Sequence, residues 1–93
     1  MRRILLQATA FVRTARRLVK KHPEAAPILQ AAFDALSADA FQPALRTHKL
    51  KGEFAGCWAC SLGYDLRIVF EFVQHEGVEA ILLQTVGTHD EVY

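Results

Sequence analysis

His48, Asp65, Arg67, His89 and Tyr93 are the side chains of the C-terminal half that can move a proton or hold a phosphate. An imidazole, a guanidinium and a phenol around one cleft suit the cleavage of an RNA phosphodiester. One group takes the proton from an attacking 2′-hydroxyl, and another protonates the leaving 5′-oxygen. A cation neutralises the charge that builds on the phosphate. Asp65 and Arg67 are two residues apart at the start of a strand pattern, which predicts that they share a face. His22 lies in a separate part of the chain and is expected to be remote from this group.

Cys57-Trp58-Ala59-Cys60 is a C-x-x-C. Redox-active pairs of this kind sit at helix N-termini, where the dipole lowers the thiol pKa. Here the motif falls inside a strand pattern, and three residues along a strand is an odd step. The two thiols are therefore expected on opposite faces, as separate small hydrophobes rather than a redox pair or metal ligands. No cofactor and no metal are expected.

Charge divides the chain. Residues 1–52 carry ten Lys/Arg against three acids, and residues 53–93 carry one against seven. Such asymmetry points to a polyanionic partner for the basic half. Arg13, Arg16, Arg17 and Lys20, with Lys49 and Lys51, are the candidate contacts.

These groups need a scaffold. Residues 3–7 read as a short strand. Thr9 is in place to cap a helix on which Phe11, Ala15, Leu18 and Val19 recur at helical spacing. His22-Pro23 ends it, because proline pushes its predecessor out of the α region. A second helix over 24–38 carries Ile28, Leu29, Ala32, Phe33 and Leu36 as its apolar stripe. Beyond it the period changes to two. Residues 57–62, 66–73 and 78–86 read as strands, QHEG (74–77) as a hairpin turn, and 46–51 as a further short strand. The expected fold is α+β, β-α-α-β-β-β, with a helical hairpin on a mostly antiparallel sheet. The 93 residues make one domain. Ile4-Leu5-Leu6 is far shorter than the ~7–15 residues of a signal-peptide core. A cytoplasmic protein with no membrane partner is expected.

The motifs His48-Lys49-Leu50-Lys51-Gly52, Trp58-Ala59-Cys60-Ser61, Tyr64-Asp65-Leu66-Arg67-Ile68-Val69-Phe70 and Val86-Gly87-Thr88-His89-Asp90-Glu91-Val92-Tyr93 carry a resemblance, with Gly56 between the first two. The combination resembles the RelE/ParE superfamily of bacterial type II toxins, and within it the YafQ-like mRNA interferase branch. The N-terminal residues Phe11, Arg16-Arg17, Lys20-Lys21 and Pro23 fit the same pattern, so the resemblance spans nearly the whole chain.

The resemblance implies a toxin that enters the ribosomal A site and cuts mRNA without metal, by 2′-hydroxyl attack on the adjacent phosphate. It also implies a separate antitoxin chain, and operator DNA bound only through the toxin–antitoxin complex. By position, it makes His48 and Asp65 active-site residues and Arg67 the holder of the scissile phosphate. It makes His89 the principal catalytic histidine and Tyr93 the aromatic that stacks on or activates the substrate. Ser61 stands where the branch has a second catalytic histidine, so His48 and His89 would divide the proton work. Two other readings compete. One is a ParE-type toxin that inhibits DNA gyrase without cutting nucleic acid. The other is a catalytically weakened interaction domain. The joint presence of the five polar residues favours the nuclease.

Overall fold

The computed structural model describes residues 2–63 and 65–88, with Leu62 described in its backbone alone. The elements run β1 (Ile4–Gln7), α1 (Thr9–Lys21), α2 (Ala25–Ala38), β2 (His48–Lys49), β3 (Trp58–Leu62), β4 (Leu66–His75) and β5 (Val78–Thr88). Short 3₁₀ turns at Pro43–Leu45 and Gly52–Phe54 flank β2. The strands form one sheet in the order β1-β5-β4-β3-β2, in which β1 is parallel to β5 and the other neighbours are antiparallel. This is the expected α+β architecture. Four strands follow the helices, because the 46–51 segment supplies the two-residue β2. Among the described residues, no helix is long and apolar enough to cross a membrane.

α1 buries Phe11 and Leu18 and leaves Arg13, Arg16, Arg17, Lys20 and Lys21 exposed. Its start differs from the sequence expectation. Thr9 is already the first helical residue and Ala8 is the cap, with no side-chain capping bond. The reason is tertiary: the Ala8 N–H donates to the Leu83 carbonyl at 2.9 Å, so strand-like pairing with β5 continues up to the helix. Lys20 and Lys21 occupy the last turn, where positive charge complements the helix dipole. α2 buries Ala25, Leu29, Ala32 and Leu36, whereas Ile28 turns to the edge of the core.

The core lies between the helices and one face of the sheet. Phe11, Leu29 and Leu36 meet Cys60, Ile68, Phe70, Ile81, Leu83 and Val86. Each fully buried Leu, Ile or Phe contributes about 1.5–3 kcal/mol. Ile68 and Phe70 follow strict alternation along β4. On β5 the core-facing positions change parity, from Ile81 and Leu83 to Val86. A β-bulge causes this: Val69 pairs with Thr85 and Phe70 with Leu83, leaving Gln84 as the extra residue.

The hairpin between β4 and β5 is tighter than QHEG suggests. His75 pairs with Val78, so the loop is only Glu76-Gly77. Glu76 has φ +52 and Gly77 φ +82. Left-handed conformation at both central residues is the type I′ turn that suits the twist of a hairpin. Glutamate is poorly suited to it and asparagine is well suited. Glu76→Asn is therefore expected to stabilise the protein by about 0.5–1 kcal/mol. A Cβ at Gly77 would meet nothing within 4 Å, so Gly77→Ala carries only the conformational cost, about 1–2 kcal/mol. Opposite shifts of the urea midpoint, at unchanged slope, are the check.

Candidate active site

The sheet end formed by the close of β3, the start of β4 and the close of β5 collects polar groups. Arg67 pairs with Ser61 on one side and with Gly87 on the other. Leu66 in turn pairs with Leu62 and Thr88. Directly paired residues point to the same face, so Arg67 and Ser61 stand together on the face turned away from Cys60 and Ile68. With Ala44, Arg46 and Gly63 they line a cavity of about 380 Å³. The Arg67 Nη1 donates to the Leu66 carbonyl at 3.1 Å.

His48 belongs to the same face. It pairs with Ala59, which pairs with Val69, and that row lies two residues along from the Ser61–Arg67 row. Its ring is exposed, with Nδ1 2.9 Å from the Arg46 carbonyl oxygen. Arg46 has φ +51, which turns the chain from the 3₁₀ turn into β2.

Asp65 does not share the face of Arg67, contrary to the two-residue spacing. β4 begins at Leu66, and Asp65 sits in the turn that follows Gly63, whose φ is +54. Outside the ladder the alternation no longer applies. Asp65 instead lines a cavity of about 250 Å³ with Leu18, His22, Glu24, Ala25, Ile28, Leu66 and Thr88. His22 is therefore not remote. Pro23 stops α1 so that the helix–helix loop is short, and the loop lands against the end of the sheet. His22 Nδ1 is 3.3 Å from Glu24 Oε1. His89 and Tyr93 lie outside the described residues. Thr88, which precedes His89, forms part of the wall of this cavity.

The cations expected to contact a polyanion fall into two places. Arg13, Arg16, Arg17 and Lys20 line the exposed side of α1, which packs mainly on β5. Lys49 and Lys51 lie at the opposite edge of the sheet, with Lys49 Nζ 5.4 Å from the ring centroid of Trp58. Thr14, Lys21 and Arg46, which also line cavities at this end of the sheet, were not among the candidate contacts expected from sequence, and His22 was expected to be remote from them. The signal for the first two is helical spacing: Thr14, Arg17, Leu18 and Lys21 share one side of α1.

The two cysteines part as expected, although β3 begins at Trp58 and Cys57 lies just before it, where its contact with Glu71 places the thiol. Cys60 is in the core, and burial pushes its thiol from an ordinary 9.0 up to about 12. Cys57 is half-buried beside Glu71, Sγ to Oε2 3.8 Å. Its thiol is raised too, first by desolvation and then by the Glu71 carboxylate. Both changes disfavour the thiolate, the reactive form. Among the described residues, no group of three His, Cys, Asp or Glu is gathered to hold a metal ion.

The family model described as "Bacterial toxin of type II toxin-antitoxin system, YafQ" matches residues 3–93. The chain belongs to the YafQ family of type II toxins. No curated protein matches it. Its fold is similar to that of a mutant YafQ from E. coli, with a TM-score of 0.79 at 13% identity over 98% of both chains. It is similar to YafQ in the E. coli DinJ–YafQ complex, with a TM-score of 0.77 at 14% identity over 98% of both chains. A metal-bound toxin from Helicobacter pylori matches with a TM-score of 0.75 at 24% identity over the full length of both chains. Its fold is also similar to that of a YoeB/ParE toxin from Agrobacterium tumefaciens, with a TM-score of 0.75 at 13% identity over 92% of this chain and 98% of that one.

Thiol chemistry checks the placement of the two cysteines in this YafQ-family fold. At pH 8 the folded toxin is expected to take up iodoacetamide slowly at Cys57 and not at Cys60, and to react at both once unfolded. Cys57→Ser is expected to be near neutral. Cys60→Ser is expected to cost about 1–3 kcal/mol, from a hydroxyl placed in an apolar core. Folding favours the neutral Cys60 thiol. Its contribution is therefore intact below pH 9 and is lost as the pH rises towards 12, which a pH series of urea melts resolves.

Proposed function

We propose that this toxin is an mRNA endonuclease that stops translation, acting in the cytoplasm on ribosome-bound message. Residues 1–93 would serve as a single toxin domain. The observation that carries the proposal is the position of Arg67. It lies on a central strand between Ser61 and Gly87, at the sheet end from which His89 follows Thr88.

In this reading a general base takes the proton from the 2′-hydroxyl, and the freed oxygen attacks the adjacent phosphorus. The bond to the 5′-oxygen breaks as that oxygen is protonated, leaving a 2′,3′-cyclic phosphate and a 5′-hydroxyl. His48, on the face of Arg67, is the base and His89 the general acid. Arg67 clamps the phosphate, since a guanidinium can contact two of its oxygens at once. Ser61, beside Arg67, is suited to donate a hydrogen bond to the phosphate but not to exchange a proton unaided. Asp65 acts from the helix side of the sheet end, and Tyr93 stacks on a base. No metal takes part in the step. Arg13, Arg16, Arg17, Lys20, Lys49 and Lys51 hold ribosomal RNA, with an affinity that falls as salt rises. The DinJ–YafQ toxin–antitoxin complex supports the binding of an antitoxin chain. In this reading that chain neutralises the toxin, and operator DNA is bound only through the toxin–antitoxin pair.

Expression without antitoxin, followed by primer extension on a reporter mRNA, tests the site. His89→Ala and Arg67→Ala are each expected to lower cleavage by at least about 10²-fold and to relieve growth arrest. His75→Ala, at the far end of β4, is expected to cut like the parent. Parental cleavage by His89→Ala would remove that residue from the mechanism. Arrest with intact mRNA and altered DNA supercoiling would favour gyrase as the target.

A further inference from the structure

A third cavity, of about 390 Å³, opens between α1 and the close of β5. Its wall on the helix side is Thr14, Arg17, Leu18, Lys21 and His22, and on the strand side Thr85, Val86 and Thr88. It shares Leu18, His22 and Thr88 with the cavity that Asp65 lines, so the two are contiguous around the end of the sheet.

The charges along this path are ordered. The α1 cavity is lined by two permanent cations and a histidine, with no carboxylate among the described lining residues. Among the described residues neither Arg17 nor Lys21 forms an ion pair. Among the described residues, carboxylates begin only past His22, at Glu24 and Asp65. Thr14 Oγ1 donates to the Phe11 carbonyl at 3.1 Å and accepts from the Val86 N–H at 3.2 Å, which ties the helix wall of the cavity to β5. Among the described residues, two cations with no ion pair in a concave site match a phosphodiester, and the flanking carboxylates bar it from the neighbouring cavity.

We infer that this groove seats a backbone phosphate of the RNA strand, held by Arg17 and Lys21. The inference deepens the endonuclease reading and rests on it for the identity of the strand. It also divides the basic helix. Arg17 holds substrate with Lys21 in addition to its ribosomal contact, whereas Arg13, Arg16 and Lys20 lie outside the groove lining.

The test uses the full chain and a 2′-O-methyl RNA hexanucleotide, which has no free 2′-hydroxyl and cannot be cut. Amide shifts on titration are expected to concentrate at Thr14, Lys21, Thr85 and Thr88. Arg17→Gln with Lys21→Gln is expected to weaken binding at least tenfold. The slope of log affinity against log salt should fall by roughly 0.7 for each phosphate that the variant no longer neutralises. Arg2→Gln, which removes a cation near the opposite end of β5, is expected to leave affinity within twofold. Shifts that bypass the groove would overturn the proposal, as would equal losses from Arg2→Gln and from the groove variants. Reporter mRNA cleavage by the unmodified chain is measured alongside. If it cleaves while the groove variants bind as the parent does, the groove proposal alone fails. If it does not cleave, the endonuclease reading fails and the groove is still judged on binding.

Discussion

The ladder between β4 and β5 is the constraint on which the rest of the molecule depends. It is the longest pairing in the sheet and runs from His75–Val78 at the turn to Leu66–Thr88 at the open end. One end is closed by two left-handed residues. The other carries Arg67 beside Gly87. Every outer strand is hung on this ladder: β3 and then β2 on β4, and β1 on β5. Because α1 follows β1 with only Ala8 between, the helix is delivered alongside the second half of β5. The position of the basic helix relative to the candidate site is thus a consequence of strand register.

The bulge at Gln84 matters for the same reason. A strand keeps one face buried only while its alternation holds, and β5 must bury Ile81 and Leu83 early and Val86 late. One extra residue reconciles these two parities. It leaves Thr85 within 3.4 Å of Thr14 on α1. The irregularity therefore shapes the wall of the groove between helix and strand. Core packing and the candidate substrate surface are set by a single local insertion.

The sheet end also separates functions that the sequence runs together. Arg67 and Ser61 face one way, with His48 on the same face two positions along. Asp65, His22 and Thr88 lie on the helix side. A substrate at this end would be approached from both faces of the sheet, by a cation on one and by polar groups of the helix loop on the other. The buried Cys60, on the helix side of β3, backs this end with apolar packing and takes no part in its chemistry.

Period and punctuation were enough to read most of the fold from the chain alone. Phe11 with Leu18 at helical spacing, His22-Pro23 as a stop, and Leu66 to Phe72 in alternation each mark an element through local backbone preference. The odd spacing of Cys57 and Cys60 likewise anticipated that the thiols part, although Cys57 lies just outside β3 and its contact with Glu71 holds it away from the core. The motifs around Asp65-x-Arg67 and Gly87-Thr88-His89 were sufficient to suggest the family. Other features depended on partners far away in sequence. Ala8 displaces Thr9 as the cap because Leu83 offers it a carbonyl. The Gln84 bulge was hidden because ILLQTV is apolar without a clear period. Asp65 parts from Arg67 because the ladder starts one residue after it. His22 and Lys21 reach the site only because β1 pairs with β5 in parallel and carries α1 to that end. Local preference is written in neighbouring residues, whereas register and juxtaposition are decided by which distant strand completes the hydrogen bonds.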